Sequence, residues 1–271
     1  MEDTTKLQTP TIRNSNGQLF IASDLHITSD QDLRGQRFLQ LLKIIEKSSA
    51  EALVLVGDVF DFILGSNRFY RRKFTAFGEG LERVAQSGTR VIFIEGNHEY
   101  DLKKLDWQGV EFVDERDFIL TLKQGTKLAF THGDQVYAPK AYQHFRKVVK
   151  SRWFLNSVRF IPGPLMDWLA LRGSHASRSQ DQYRTIDHGA ILSAMEKWLP
   201  KDVDYGVFGH FHVPYADPSQ SSKGLLLSCD SWDSPSVLVY NQDGFSRWQY
   251  ENSELDPTLP QGLTPVFRAS T

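Results

Sequence analysis

Five short apolar runs, each stopped by residues with lone pairs to offer, constrain this chain more than any other feature. Gln18-Leu19-Phe20-Ile21-Ala22-Ser23 ends at Asp24, with His26 two residues on. Ala52-Leu53-Val54-Leu55-Val56 is stopped by Gly57-Asp58, and Val91-Ile92-Phe93-Ile94 by Glu95-Gly96-Asn97-His98. Lys127-Leu128-Ala129-Phe130 runs into Thr131-His132-Gly133, and Val203-Asp204-Tyr205-Gly206-Val207-Phe208 into Gly209-His210-Phe211-His212. Runs this short and this apolar predict strands buried on both faces. The spacing of Phe38, Leu39, Leu41, Leu42, Ile44 and Ile45 predicts a helix over 36–47, and a second is expected over about 73–86. Gly224–Ser228, and Ser236–Tyr240 before an Asp243-Gly244 turn, read as hairpin-like strands. The alternation predicts an α/β fold layered around a mixed sheet.

In open α/β sheets, ligands bind beyond the carboxyl ends of the strands. Five strand ends therefore deliver carboxylate, amide and imidazole groups to one edge. Asp24, His26, Asp58 and His212 suit one metal ion; Asp58, Asn97, His132 and His210 suit a second, with Asp58 as the bridge. A single cysteine, Cys229, excludes an intrachain disulfide and a cysteine-built zinc site. Mixed nitrogen and oxygen ligation suits Mn²⁺, Fe or Zn²⁺. Two such ions about 3.5–4 Å apart can clamp a phosphate and generate hydroxide near neutral pH. Gly57, Gly96, Gly133 and Gly209 let the chain turn tightly behind the ligands. His144, His175 and His188 lie away from these blocks and are read as structural.

Residues 1–16 are polar and patternless and read as a flexible arm; 17–251 read as one domain and 252–271 as a tail. Within the domain, about 135–185 lacks strand alternation and carries Trp153, Phe154, Val158, Phe160, Ile161, Leu165, Met166, Trp168 and Leu169 among Arg152, Arg159 and Arg172. It reads as an inserted helical cap, broken by Pro162-Gly163-Pro164. Lys+Arg 31 against Asp+Glu 33 leaves no global basic field, so nucleic acid is not an expected partner. No apolar run approaches the roughly 18 residues of a membrane span. Met1–Lys6 lacks the basic start and apolar stretch of a secretory signal, so a cytoplasmic location is expected. Asn67–Lys73 is the densest basic cluster, read either as a site for a second phosphate or a membrane, or as a solvated helix start.

Asp24-Leu25-His26, Gly57-Asp58-Val59-Phe60-Asp61, Gly96-Asn97-His98-Glu99, Thr131-His132-Gly133-Asp134 and Gly209-His210-Phe211-His212 resemble the five motif blocks of the calcineurin-like metallophosphoesterases. The resemblance spans about residues 19–212. It implies a four-layer α/β/β/α sandwich, two metal ions, often manganese, and a bridging hydroxide that attacks phosphorus in line. It also implies a catalytic role for His98, donating to phosphate oxygens or the leaving group, and a supporting role for Asp61, which holds a ligand or a loop.

The cap between the His132 and His210 blocks is similar to that of the UDP-2,3-diacylglucosamine hydrolases of lipid A synthesis. Tyr142–Lys147 looks like its opening helix and Ala190–Glu196 like the returning one. That likeness implies pyrophosphate hydrolysis releasing UMP and a nucleotide-linked glycolipid as partner. It also implies an apolar cleft lined by Trp153, Phe154, Phe160, Leu165 and Trp168. Arg146, Lys147, Lys150 and Arg152 would meet the cytoplasmic face of the inner membrane, as a peripheral contact. Ser177 and Arg184 fall where that family meets the head group, beside Asn97 and His98. The chain departs from the best-known members at His98, often Arg there, at Ala138-Pro139-Lys140, where they place an Asp, and at Asp181, where they offer an Asn. A different soluble phosphomonoester or phosphodiester is the alternative substrate.

Overall fold

The computed structural model describes residues 18–256, except 115–116, 180–186, 213–214, 217–224, 230–231, 233–234, 243 and 252–253. Numbered in chain order, one sheet holds β1 (Leu19–Ala22), β2 (Ala52–Val56), β4 (Arg90–Ile94), β6 (Val110–Val113), β12 (Ser236–Asn241), β13 (Gly244–Glu251) and β14 (Glu254–Asp256), in the order β14-β13-β12-β1-β2-β4-β6. β1, β2, β4 and β6 run parallel; β12 to β14 complete the sheet antiparallel. A second sheet, ordered β10-β11-β9-β8-β7, comprises β7 (Phe118–Thr121), β8 (Lys127–Thr131), β9 (Tyr205–Phe208), β10 (Tyr215–Ala216) and β11 (Leu225–Ser228). β3 (Ile63–Leu64) and β5 (Glu99–Tyr100) pair in parallel beside the ligand loops.

The helices are α1 (Leu33–Ser48), α2 (Arg68–Lys73), α3 (Thr75–Gln86), α4 (Lys140–Val149), α5 (Arg152–Val158), α6 (Gly163–Ser179) and α7 (His188–Trp198). Strand side chains alternate between faces, and here both faces are covered. Phe20, Leu53, Leu55, Val91 and Phe93 pack with Phe38, Leu41 and Ile45 of α1 and Phe77, Leu81 and Val84 of α3. Their neighbours Leu19, Ile21, Val54, Val56 and Ile92 turn the other way, onto Leu128, Phe130, Val207 and Leu227 of the second sheet. That sheet's outer face, Ala129, Phe208 and Leu226, is covered by Ile191 and Met195 of α7, with Leu199 just beyond it. The layers are therefore α/β/β/α. This is the four-layer sandwich that the resemblance implies; strand alternation alone, read as one mixed sheet, does not separate the two, because a run buried on both faces does not tell which layer covers each.

The helix expected over about 73–86 is α3, and an additional short helix, α2, precedes it and meets it at Phe74, with Asn67 capping α2 by accepting from the Phe69 N–H. One other expectation shifts. The hairpin is β12–β13 around the expected turn, whereas β11 joins the other sheet beside β9. Pairing of Glu254–Asp256 with β13 carries the sheet into the segment expected as a tail; 1–16 and 257–271 lie outside the described residues. The cap is helical as expected, broken over 159–162, just before Gly163-Pro164 open α6, and again at Lys150-Ser151. Among the described residues no helix is long and apolar enough to cross a membrane.

Candidate metal centre

The ligand loops leave β1, β2 and β4 of the first sheet and β8 and β9 of the second, all at their carboxyl ends. They are zipped to one another before any side chain acts. The Asp24 N–H donates to Gly57 O, His26 N–H to Asp58 O, Ile27 N–H to Val59 O and Gly209 N–H to His132 O, at 2.9–3.1 Å. Backbone conformation marks the same residues. Of the non-glycine residues with positive φ, five are Asp24 (56°), His26 (48°), Asp58 (52°), His210 (70°) and His212 (54°). Such conformations cost free energy and persist where surroundings over-determine them. Gly57, at φ 82°, and Gly96 permit the close approach: a Cβ on Gly57 would lie 2.5 Å from His132 Nδ1, and one on Gly96 2.3 Å from Asp58 Oδ1.

The donor atoms fall into groups. Asp24, His26 and His212 lie within reach of one common ion, as do Asp58, His132 and His210. Asn97 joins the second group, its Oδ1 3.0 Å from His132 Nε2. Each group draws side chains from both sheets. His132 Nδ1 lies 2.8 Å from Val56 O, a carbonyl that only accepts, so Nδ1 carries hydrogen and a neutral ring presents a lone pair at Nε2. That lone pair faces the Asn97 oxygen and, at 3.3 Å, Asp58 Oδ2. In the other group His26 Nε2 and His212 Nε2 face each other at 3.3 Å, with Asp24 Oδ1 3.3 Å from His212 Nε2. Lone pairs aimed at lone pairs repel unless a proton or a cation lies between them, so this donor set fits divalent ions of the borderline kind.

Electrostatics point the same way. Burial pushes His26 down to about 3 and His210 down to about 4, the latter aided by His132, so both rings are neutral donors. Burial would raise Asp24 and Asp58, but His212 outweighs it at Asp24 and His132 and His98 outweigh it at Asp58, holding both carboxyls below the usual range. At His132 burial is overridden by the Asp58 charge, which pushes it up to about 10: a proton takes the place a cation would hold.

His98 belongs to neither of these two groups. Its Nδ1 donates to Asp61 O at 2.6 Å, which fixes the ring, and Nε2 stands 3.8 Å from Asp58 Oδ2. The His98 side chain is 21% exposed and that of His212 31%, whereas His132 is 2% exposed, so the centre opens on the His98 and His212 side. The Asp61 carboxylate lies 3.9 Å from His26 Nδ1, and its carbonyl orients His98.

All seven expected ligands and His98 thus come together. Arg184 and the Ser177 side chain lie outside the described residues. Two of the four basic residues expected at a lipid surface are corrected. Arg146 is buried against Asp134, and Lys150 is turned inward onto the loop around His98, bonding to Gly96 O and Glu99 O. Lys147 and Arg152 are exposed. The basic stretch at 67–73 meets the cap: Lys73 pairs with Asp167 at 2.7 Å and Asn67 Nδ2 donates to Ile161 O. Sequence reasoning gave no role to Glu99. This fully buried carboxylate accepts from the N–H groups of Asp58, Gly96 and Phe60, clamping two ligand loops. Burial, then the nearby Asp58 charge, raises it to about 7. A glutamate next to a Gly-Asn-His turn was the only signal, and spacing says nothing of its burial.

A family model described as calcineurin-like phosphoesterase matches residues 18–214. A UDP-2,3-diacylglucosamine hydrolase of Vibrio parahaemolyticus is 28% identical over 239 residues, 84% of this chain and 95% of that protein. One of Shigella dysenteriae is 28% identical over 211 residues, 72% of this chain and 82% of that protein. A solved dimetal phosphatase of Danio rerio is 10% identical, with a TM-score of 0.44, covering 87% of this chain and 96% of the other.

Proposed function

The chain belongs to the calcineurin-like phosphoesterase family, metal-dependent phosphoester hydrolases, and from that premise we propose that it cleaves the pyrophosphate of UDP-2,3-diacylglucosamine. The products are 2,3-diacylglucosamine 1-phosphate and UMP. One observation carries the chemistry: two groups of largely buried lone-pair donors, Asp24, His26 and His212 and Asp58, His132 and His210, lie beside a partly exposed imidazole, His98. Asp24, His26 and His212 hold one ion, and Asn97, His132 and His210 the other, with Asp58 shared; Mn²⁺ is the first choice, with Fe or Zn²⁺ also suited. Two such ions supply Lewis acidity to a phosphoryl oxygen and a nucleophile from water near neutral pH. The chain does the rest. Neutral His26 and His210 and ionised Asp24 and Asp58 present lone pairs without a proton to displace. His98, its ring fixed by the Asp61 carbonyl, aims Nε2 toward the open side. A proton there donates to a phosphoryl oxygen or the leaving oxygen as charge builds on it.

The lipid-linked substrate is supported by the names of the relatives and by the cap. Trp153 (76% exposed), Leu165 and Trp168 on α5 and α6, and Phe160 (75%) between them, are exposed on a cap whose first helix, α4, is bonded to the loops after β4 and β8. Apolar surface of this kind suits acyl chains and a peripheral contact with the bilayer. Ser177 and Arg184 are proposed to meet the head group.

The test is a substrate screen with Mn²⁺. UMP release from UDP-2,3-diacylglucosamine in detergent micelles, lost when the acyl chains are removed, is the expected result. Hydrolysis of aryl phosphates or cyclic nucleotides with none of the lipid would assign a soluble phosphate ester instead.

A further inference from the structure

Lys150 ends α4, where a cap residue would ordinarily face solvent, yet its side chain is only 9% exposed. Its Nζ bonds to Gly96 O at 2.9 Å and to Glu99 O, and lies 3.5 Å from Glu95 Oε2. These two carbonyls belong to the residues on either side of Asn97-His98. One ammonium therefore closes the loop whose two central residues face the metal centre. The loop is placed from its other side as well: the His98 N–H donates to Asp58 Oδ1 at 3.0 Å, and Asn97 Oδ1 sits 3.0 Å from His132 Nε2. The Tyr100 ring lies 4.6 Å from Nζ and covers one side of the ammonium, adding a cation–π contact to these bonds.

The geometry points to Lys150 as a positioning residue that sets Asn97 and His98 in place from the cap, so that turnover depends on how α4 is seated. The inference rests on the reading of Asn97 as a ligand and His98 as catalytic. Without Lys150 two carbonyls lose their donor and the loop relaxes, and a displacement of about 1 Å at reacting groups costs on the order of 100-fold.

The experiment uses the full chain with Mn²⁺ and bis(4-nitrophenyl) phosphate, a probe too small to need the cap. Lys150→Met is expected to lower kcat by about 10–100-fold with KM near wild type, in a protein that still unfolds in one cooperative transition, at a melting temperature lowered by the carbonyls left without a donor. The Kd for the more weakly held Mn²⁺ should rise by about 10-fold or more in calorimetric titration, as for other residues that orient ligands. Lys150→Arg, which keeps charge and several donors, should recover part of kcat. With Mn²⁺ saturating, so that any loss through Asn97 is made up, Lys150→Met in a His98→Ala background should cost less than about 3-fold further, because what remains of its effect acts through His98. Lys140→Met, exposed on the same helix, serves as the unaffected control. Wild-type kcat and Mn²⁺ affinity in Lys150→Met, or full multiplication of the two losses in the double variant, overturns the inference. If Lys150→Met does not fold, Lys150→Gln is read in the same way. A wild-type protein that binds no Mn²⁺ and cleaves no probe overturns the hydrolase reading and this inference with it; active wild type with unaffected Lys150 variants overturns this inference alone.

Discussion

The ligand edge and the outer surface of the cap are built on opposite terms. At the edge, Asp24, Asp58 and His132 are 0–3% exposed, their loops are bonded pairwise, and unfavourable backbone conformations are tolerated. On the cap, Trp153, Phe160 and Trp168 stand 52–76% exposed, with large apolar area given to solvent. The first arrangement fixes atoms to fractions of an ångström, which phosphoryl chemistry needs. The second fixes little and offers surface, which suits a long, variable hydrocarbon. On the proposed reading, geometry and recognition are carried by different parts of the chain, joined through α4.

That division is tested most severely at Asp58. Asp58→Ala should abolish turnover of every substrate and leave the protein without either ion by elemental analysis after Mn²⁺ loading; two retained ions would break the shared-ligand picture. His98→Ala comes next. It should lower kcat by about 100–1000-fold, the cost of losing one donor to developing charge, while metal content stays at the wild-type value. A parallel loss of metal would move His98 into the ligand set. The smallest effect is expected on the cap. Serine at Trp153, Phe160 and Trp168 together should leave hydrolysis of bis(4-nitrophenyl) phosphate within about 2-fold. On the diacylated substrate kcat/KM should fall about 10-fold or more, since one poorly buried aromatic side chain already represents about 1.5 kcal/mol. Equal losses on both substrates would show that the cap's outer surface shapes the centre as well.

The two regions also differ in how they read from sequence. The seven proposed ligands are legible because each combines a strand's end with a lone-pair side chain, and the order of five such blocks is hard to reach by chance. The left-handed backbone at five of them leaves no trace in spacing. The second sheet was hidden because Leu128 and Phe130 look the same whether they pack on a helix or on Ile21 and Val54. On the cap, Lys150 and Lys147 share one basic stretch. Only the fold shows that the first turns inward to carbonyls and the second stays in water. Glu99 was passed over because a carboxylate in a polar loop is ordinarily solvated, and here three peptide N–H groups replace the water.

Asp24 and His26 come from one sheet and His212 from the other; Asp58 from the first, His132 and His210 from the second. Cations seated there would act as rivets through the sandwich. Whatever binds the folded form alone adds to its stability by mass action, and here that gain is spent at the seam between the two sheets. Chelation should therefore do more than silence catalysis: it would remove the fastening at one end of that seam, and amide exchange should quicken first at the carboxyl ends of the strands that lead into those residues, β1, β2, β8 and β9.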